Sequence, residues 1–409
     1  MKKLLIALMA VCLYSSCSKK DEPEPETKYA RTVLIYMAAE NNLNSDADKN
    51  LTAIKQGVKS IGNNCLAVYV DKADSKANPY YLYFRNGEQA DTIWTETDEL
   101  TADAAVLEKV ARKAFSDNPA SSYGLVLWGH ASGWTINEDS VAYTAMARRK
   151  AYGGDAGNNS PNSNGKYWMN IPSMAKALSQ SGIPHLAFIF ADCCNFQCLE
   201  SAYELRNVAD YLIGSPAEIP GVGAPYQTVV PAMFETSTFY SSIIDRYYEQ
   251  REMGYDVPLS AIKLSEMGNL ASATRTVLKT FAGSLDKYPD LTDVVYYYYD
   301  TSFNYFQQYY DPNSFILKYA SADNYQIWKQ AFDKAVVYKK IATEWMTNKN
   351  PWGRESDWNK YYGNFFKVTE ENFGGVSMYI PRYSLDYPLN AYINKMAWYY
   401  AAGYSEIGW

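Results

Sequence analysis

Short apolar segments alternate with segments of helical periodicity along the first half of the chain. Helical spacing of apolar residues occurs at 45–61, 101–115 and 172–180, and Ser45 and Thr101 stand where two of these helices would begin. The apolar segments favour strands and lie at 31–38, 65–70, 123–129, 186–191 and 209–214. Strands that are apolar on both faces are typical of a parallel sheet covered on both sides. The pattern therefore predicts an α/β fold with a mainly parallel central sheet.

One early segment and the second half of the chain depart from this alternation. Residues 80–96 contain two strand-like runs around Asn86-Gly87, which predicts a hairpin. Beyond residue 235 the chain becomes more helical and aromatic, with helical spacing at 328–345 and a strand-like run at 376–382 that would return to the main sheet. We therefore predict a core at 30–235 and a helical, aromatic-rich accessory region at 236–409 that elaborates it.

Composition narrows the class of protein. The 409 residues are 47% hydrophobic and 20% charged, as in a folded globular protein. The net charge of −7 and the lack of a basic run argue against nucleic acid as a partner. Many of the 38 tyrosines cluster at 294–311. They are interpreted either as half-buried faces of helices or loops, or as the lining of a groove for peptide or glycan.

The N-terminus predicts export. Residues 1–13 combine a basic start with an apolar stretch of about ten residues, too short to span a bilayer. Ser15 and Ser16 before Cys17 resemble a bacterial lipobox, which implies a signal peptide at 1–17 and a lipidated Cys17; ordinary signal cleavage with secretion is the alternative. Residues 18–29 read as a flexible tether. We expect a lipid-anchored protein of the bacterial cell envelope, and the acidic residues after Cys17 resemble surface-export signals.

Three cysteines lie within six residues, at Cys193, Cys194 and Cys198. Disulfide scaffolds are usually short chains whose cysteines are spread along the sequence, so a disulfide knot is a weak interpretation. A zinc site is equally weak, because the chain contains only two histidines and no paired knuckle. We predict no metal at these cysteines and expect one of them to be a nucleophile.

The predicted sheet brings one histidine to these cysteines. Active sites in such folds lie at the carboxyl ends of the strands. His130 directly follows the strand predicted at 123–129, and the cysteine cluster follows the strand predicted at 186–191. His185 lies at the opposite end of its strand, about 30 Å from Cys194. A histidine can take the proton of a thiol, and a backbone amide can hold the oxyanion that forms when the thiolate attacks a carbonyl. The turn after His130 offers the amides of Ala131 and Ser132.

Segments 32–51, 123–134, 190–226, 259–267 and 374–381 together resemble the clostripain-like cysteine peptidases, relatives of caspases and gingipains. The resemblance implies a caspase-like α/β/α sandwich that hydrolyses peptide bonds in peptide or protein substrates. On its motifs, His130 and Cys194 form the catalytic dyad, Asp192 contributes to an acidic S1 pocket that selects Arg or Lys, and Ala131 supplies the oxyanion amide.

The chain departs from the family pattern at two positions. Ala131 stands where the family commonly has Gly, and Val222 stands where it often has a second S1 aspartate. Asp192 is then the one S1 acid that the resemblance implies for this chain. Glu218 is a candidate to replace the missing second carboxylate. These departures keep open an alternative function, that of a peptidase-fold lipoprotein that has lost activity and binds peptide or glycan.

The resemblance also raises two questions of regulation. Residues 145–168 are rich in Gly, Asn and Ser, which predicts an exposed loop. Family members can mature by cutting themselves in this region, so Arg148, Arg149 and Lys150 are candidate self-cleavage sites; an insertion that is never cut is the alternative. Family members can also depend on calcium, although the chain has no D-x-D-x-D-G loop and no other cofactor motif.

Overall fold

The structure, a computed structural model, describes residues 28–74, 78–136, 151–157, 166–249, 256–285, 289–297, 309–343, 345, 367–381 and 392–409. The predicted signal peptide with Cys17, the tether up to residue 27 and the three basic residues Arg148, Arg149 and Lys150 lie outside this range.

Within the described residues, a central sheet consists of nine strands: β1 Thr32–Ala39, β2 Cys65–Lys72, β3 Tyr80–Arg85, β4 Glu88–Trp94, β5 Tyr123–Trp128, β9 Leu186–Asp192, β10 Ala209–Gly214, β11 Leu259–Lys263 and β12 Val336–Lys340. Their order across the sheet is β12-β11-β10-β9-β5-β1-β2-β3-β4. The five central strands pair in parallel, and antiparallel pairs extend the sheet at both ends. All five strands predicted from apolar segments lie in this parallel centre.

Helices cover both faces of the sheet. They are α1 Asn44–Gly57, α2 Ala104–Asp117, α3 Ile171–Leu178, α4 Leu199–Leu205, α5 Tyr226–Ala232, α6 Phe239–Glu249, α7 Met267–Phe281, α8 Pro312–Tyr319, α9 Ala322–Ala335 and α10 Ala397–Ala401. Alternate residues of β1 pack into two separate cores, with Leu34 and Tyr36 facing α2 and α3 while Val33 and Ile35 face α1, α5 and α6. The predicted α/β/α sandwich is confirmed.

The predictions for the hairpin turn and for the first residues of two helices were only partly correct. The hairpin forms as predicted, with Asn86 and Gly87 at φ of 53° and 88° between β3 and β4. Ser45 does not cap α1, which follows Leu43 without a side-chain cap. Thr101 does not begin α2 either, because its amide and hydroxyl donate to Asp155, and Asp103 caps the helix instead.

The accessory region contributes two strands to the sheet. The helix predicted over 328–345 is wrong in its second half: α9 ends at Ala335, and Val336–Lys340 form β12 because β-branched and aromatic residues there pair with β11. The strand predicted at 376–382 does not join the sheet within the described residues. Ser377 and Met378 make single bridges to Cys198 and Tyr310, which take up the backbone groups of this segment.

The described tyrosines of the 294–311 cluster belong to the core. Tyr296, Tyr297, Tyr309 and Tyr310 are buried, and the Tyr309 hydroxyl donates to the Ser132 carbonyl at 2.5 Å. These four side chains therefore stabilise the fold and do not line a groove. Among the described residues, no helix combines the length and the apolar character that a membrane span requires.

Candidate active site

Strands β5 and β9 end side by side and deliver the predicted dyad to the same sheet edge. Trp128 of β5 pairs with Asp192 of β9 in parallel register. His130 and Cys194 each follow two residues later. Neighbouring strands lie about 4.8 Å apart, so the two residues leave the sheet as neighbours.

The turn that follows His130 packs directly on the turn that follows Cys194. Gly133 has φ of 59°, and a Cβ added there would clash with the carbonyl oxygen of Asn195. Asn195 itself has φ of 56°, and its amide donates to the Ala217 carbonyl. Both turns thus have left-handed backbone at their contact, and only a residue without a Cβ fits position 133.

A small second sheet carries His130. It consists of β6 His130–Ala131, β7 Tyr152–Asp155 and β8 Tyr167–Met169, all antiparallel. The His130 ring is half-buried, and its Nε2 lies 2.6 Å from the Asn42 side-chain oxygen. Asn42 lies in the turn after β1, next to β5 in the sheet, and so the geometry makes it a partner that orients the ring.

Cys194 differs from the other described cysteines in its exposure. Cys65, Cys193 and Cys198 are buried, and burial raises the pKa of each of these thiols, that of Cys65 to about 12. Cys194 is half-exposed, and the amide of Ile219 donates to its sulfur at 3.4 Å. A backbone N–H directed at sulfur stabilises negative charge there.

The helix that follows the cysteine cluster begins too far along the chain for its dipole to act on Cys194. Cys198 is the N-cap of α4, rather than a residue of its first turn, and the helix begins at Leu199. Cys194 therefore lies outside the first turn, where a helix dipole has most of its effect. The Ile219 amide, and not a helix terminus, is therefore the group that favours negative charge on the Cys194 sulfur.

The antiparallel pairing of β6 with β7 distinguishes the two candidate oxyanion amides. The Ser132 amide donates to the Ala151 carbonyl at 3.0 Å and is therefore occupied. Because hydrogen-bonded and non-hydrogen-bonded pairs alternate, the amide of Ala131, opposite Tyr152, points away from β7. Ala131 is thus the better donor for a substrate carbonyl.

Asp192 is buried under the loop that contains Val222. Its carboxylate accepts hydrogen bonds from the Ala224 amide and the Tyr226 hydroxyl at 2.8–3.1 Å. Burial raises the pKa of Asp192 to about 6, against these hydrogen bonds, which act to lower it. A Cβ on Gly223 would lie 2.6 Å from Asp192 Oδ2, so the loop lies directly on the carboxylate.

The same loop touches a second carboxylate that the sequence did not indicate. A Cβ on Gly221 would lie 3.2 Å from Asp46 Oδ2, and the side chain of Asp46 is 18% exposed. The Val222 carbonyl accepts from Asn50, whose side-chain oxygen accepts from Trp128 at the end of β5. Asp46 and Asp192 therefore flank the loop, while Glu218 lies half-buried at its start.

A buried carboxyl behind the cysteine turn predicts a pH-dependent stability. Glu200 is fully buried, accepts a hydrogen bond from the Tyr379 amide, and has its pKa raised from 4.5 to about 7 by burial. The folded state therefore holds this proton more tightly than the unfolded state. Its stabilising effect is present below pH 4.5 and is lost as the pH rises to about 7.

We expect Glu200→Gln to remove this dependence. The free energy of unfolding of the variant, relative to wild type, should rise by about 2 kcal/mol between pH 5 and pH 8, as measured by urea denaturation. Glu249→Gln, at an exposed glutamate, serves as the matched control. A pH-independent difference for Glu200→Gln would mean that this carboxyl is not titrating in the folded state.

These features define a class of protein before any relative is considered. An α/β/α sandwich that presents one half-exposed cysteine beside a histidine at the carboxyl edge of its sheet has the arrangement of a cysteine-dependent hydrolase. The model of the clostripain family matches residues 35–400. The chain belongs to this family and is a cysteine peptidase.

Solved structures of the same family cover nearly the whole chain. A secreted C11 cysteine protease from Bacteroides thetaiotaomicron, in complex with an irreversible peptide inhibitor, is 31% identical, with a TM-score of 0.72 over 92% of this chain and 99% of that one. An inactive zymogen C11 protease from Parabacteroides distasonis is 28% identical, with a TM-score of 0.71 over 92% and 99%. The comparison with curated proteins gave no match.

Proposed function

We propose that the protein is an endopeptidase that hydrolyses peptide bonds through a dyad of His130 and Cys194. The observation that carries the proposal is the packing of their two turns, at Gly133 and Asn195, on one sheet edge. The half-exposure of Cys194, among buried cysteines, supports the choice of nucleophile.

The reaction follows from these positions. His130 takes the thiol proton, the Cys194 sulfur attacks the carbonyl carbon of the scissile bond, and the Ala131 amide stabilises the resulting oxyanion. The C–N bond then breaks, and His130 gives the proton to the leaving amine. In the second half, His130 deprotonates a water that attacks the thioester, the C–S bond breaks, and the thiol is restored. Asn42 orients the histidine through its contact with Nε2.

We propose a preference for Arg or Lys at P1, with Asp192 as the principal acid. In this proposal the loop at 221–223 lines the S1 pocket. The Asp46 carboxylate lies next to Gly221, and the Asp192 carboxylate lies next to Gly223. Asp46, whose carboxylate also pairs with Lys49 at 2.7 Å, places a second carboxylate near the position where Val222 stands. These two carboxylates would attract the guanidinium or ammonium group of a basic P1 side chain.

Asp192→Asn is expected to reduce selectivity more than overall activity. The ratio of kcat/KM for a P1 Arg peptide to that for its P1 Gln analogue should fall by about 30-fold or more, because one partner of a buried charge pair is lost. Asp46→Asn, on a more exposed group, should reduce the ratio by about fivefold or less. Asp48→Asn, on the exposed side of the same helix, serves as the control. An unchanged ratio in Asp192→Asn would exclude Asp192 from the S1 pocket.

We further propose that the chain is exported, lipidated at Cys17 and cut by its own activity after Arg148, Arg149 or Lys150. Export is supported by the N-terminal segment and by the secreted relative from Bacteroides thetaiotaomicron. Self-cleavage is supported by the inactive zymogen form of the relative from Parabacteroides distasonis and by the basic residues that directly precede Ala151. A cut after Lys150 would leave Ala151 as the residue that leads into β7.

The mature ends of the purified protein test these processing steps together. Mass spectrometry and N-terminal sequencing should find a lipid-modified Cys17 and a second N-terminus at Arg149, Lys150 or Ala151. The second terminus should be absent from the Cys194→Ala protein, because the cut requires the nucleophile. A single intact chain with full activity would contradict self-cleavage, and an unmodified N-terminus downstream of Cys17 would contradict lipidation.

A further inference from the structure

A tryptophan ring packs beside the ring of His130. Trp168 lies in β8, and the centroids of its indole and of the His130 imidazole are 6.2 Å apart, with an angle of 46° between the ring planes. Aromatic rings attract each other at centroid distances of about 4.5–7 Å when they are offset or tilted. The contact therefore involves the side chain that the proposed reaction uses as its base.

The pairing of the small sheet explains how side chains from its two outer strands meet. Gly153 in β7 pairs with His130 on one side and with Trp168 on the other. The residue of a middle strand normally projects its side chain between its two partners. Gly153 has none, so no side chain at this position separates the indole from the imidazole.

The burial of Trp168 is not explained by the hydrophobic cores. Its side chain is only 9% exposed, yet it belongs to neither of the two cores that flank the central sheet. The buried Trp128 and Trp134, and its own neighbour Met169, are all members of one core or the other. Trp168 is therefore buried at the active site, where His130 is its ring partner.

Asn42 and Trp168 constrain His130 in different ways. The side-chain oxygen of Asn42 can only accept, so Nε2, which lies 2.6 Å from it, carries a hydrogen and Nδ1 is left as the base. A half-turn of the ring would exchange the two nitrogens. The indole hinders that motion, because the turning imidazole would sweep into the space that the indole occupies.

We propose that Trp168 is a positioning residue for His130, which restricts rotation of the imidazole and stabilises its protonated form. The face of an indole carries partial negative charge and attracts a cation about 6 Å from its centroid. His130 becomes such a cation when it takes the thiol proton, so the attraction strengthens as the reaction proceeds. This consequence for catalysis rests on the proposed dyad, whereas the contact between the rings does not.

Other charged groups near His130 stay in place when Trp168 alone is replaced. The segments around the ring carry titratable groups at Glu40, Asp46, Asp155, Lys166, Cys194 and Glu218. Lys166, the cation among them, lies 4.9 Å from the centroid of the Tyr167 ring, and Tyr167 leaves β8 on the face opposite to Trp168. A change in the protonation of His130 in a Trp168 variant can therefore be assigned to the indole.

The test follows His130 by NMR in the full chain with Cys194→Ala, so that neither activity nor self-cleavage contributes. The chain has only two histidines, so a ¹³C label in the histidine rings gives two signals, and exposed His185 is the internal control. Trp168→Leu should change the chemical shift of His130 and raise the acid dissociation constant of its imidazolium about threefold, while His185 keeps both values. An unchanged shift or an unchanged constant for His130 would overturn the proposal.

A fluorinated tryptophan provides a second test if Trp168→Leu does not fold. Fluorine on the indole withdraws charge from the ring face and leaves the shape of the side chain nearly the same. Protein made with 5-fluorotryptophan should show a higher acid dissociation constant for His130 and an unchanged one for His185. An equal constant for His130 with and without fluorine would refute the attraction.

Kinetics distinguish a failure of this proposal from a failure of the dyad. With Cys194 present, Trp168→Leu should lower kcat for a P1 Arg peptide about tenfold and leave KM within about twofold, and Trp168→Phe should recover most of the loss. Trp94→Leu, which removes an exposed indole stacked on Tyr80, is the control. An effect on the NMR titration without one on kcat would contradict the dyad. Loss of kcat without an effect on the titration would contradict the role of Trp168.

Discussion

Cys194→Ala is expected to abolish peptide hydrolysis, lowering kcat/KM by about 10⁴-fold or more while leaving the fold intact. The sulfur is the atom that forms the thioester, so no neighbouring group can replace it. Cys194 lies in a half-exposed turn, where its sulfur contacts the backbone of Ile219, so removing the sulfur costs little packing. The measurement is steady-state kinetics on a P1 Arg peptide, with thermal unfolding as the check on folding.

The neighbouring cysteines provide matched controls. Cys193→Ala removes a sulfur from the adjacent residue, and Cys198→Ala removes one from the same segment, yet both thiols are buried with raised pKa. We expect each variant to keep its activity within about tenfold and to lose some stability, as removal of a small buried group does. Full activity in Cys194→Ala, or its loss only in Cys193→Ala, would assign the nucleophile elsewhere.

Gly133→Ala is expected to have the second-largest effect. A Cβ at this position would clash with the Asn195 carbonyl and would also impose a left-handed backbone on alanine, at φ of 59°. Relief of the clash requires the histidine turn and the cysteine turn to separate. A displacement of about 1 Å between reacting groups can cost about 10²-fold in rate, so we expect kcat to fall by at least that factor.

Gly62→Ala separates the clash from the backbone strain. Gly62 has φ of 61°, nearly that of Gly133, but nothing lies within 4 Å of an added Cβ. This variant should lose about 1 kcal/mol of stability from strain alone and keep its activity. Equal kinetic behaviour of the two variants would mean that the contact between the turns does not set the geometry of the dyad.

The parallel centre of the sheet could be predicted from the sequence because its strands are apolar on both faces. Val33, Leu34 and Ile35 are all fully buried, so the run carries no polar interruption that could be mistaken for a helix face. The edge strand β12 gave no such signal. Its Lys339 and Lys340 are partly exposed, and the apolar residues before them continued the helical spacing of α9.

Some residues of the candidate site are placed by strands that can be predicted from the sequence, and others are placed only by tertiary packing. His130 and Cys194 follow strands that the sequence marks clearly, and Asp192 ends one of them, so their common edge could be predicted. Asn42 lies 88 residues before His130, and Asp46 approaches Gly221 only through the packing of α1 under the loop. Contacts of this kind depend on tertiary packing, and no spacing rule in a single sequence specifies them.

Covalent labelling tests the dyad most directly. The protein is treated with a peptidyl electrophile that has Arg at P1, and the modified residue is mapped by mass spectrometry in wild type and in His130→Ala. We predict modification of Cys194 alone, at a rate that falls by about 10²-fold or more without the histidine. Modification of Cys193 or Cys198, an unchanged rate in His130→Ala, or no reaction of any cysteine would contradict a His130–Cys194 dyad.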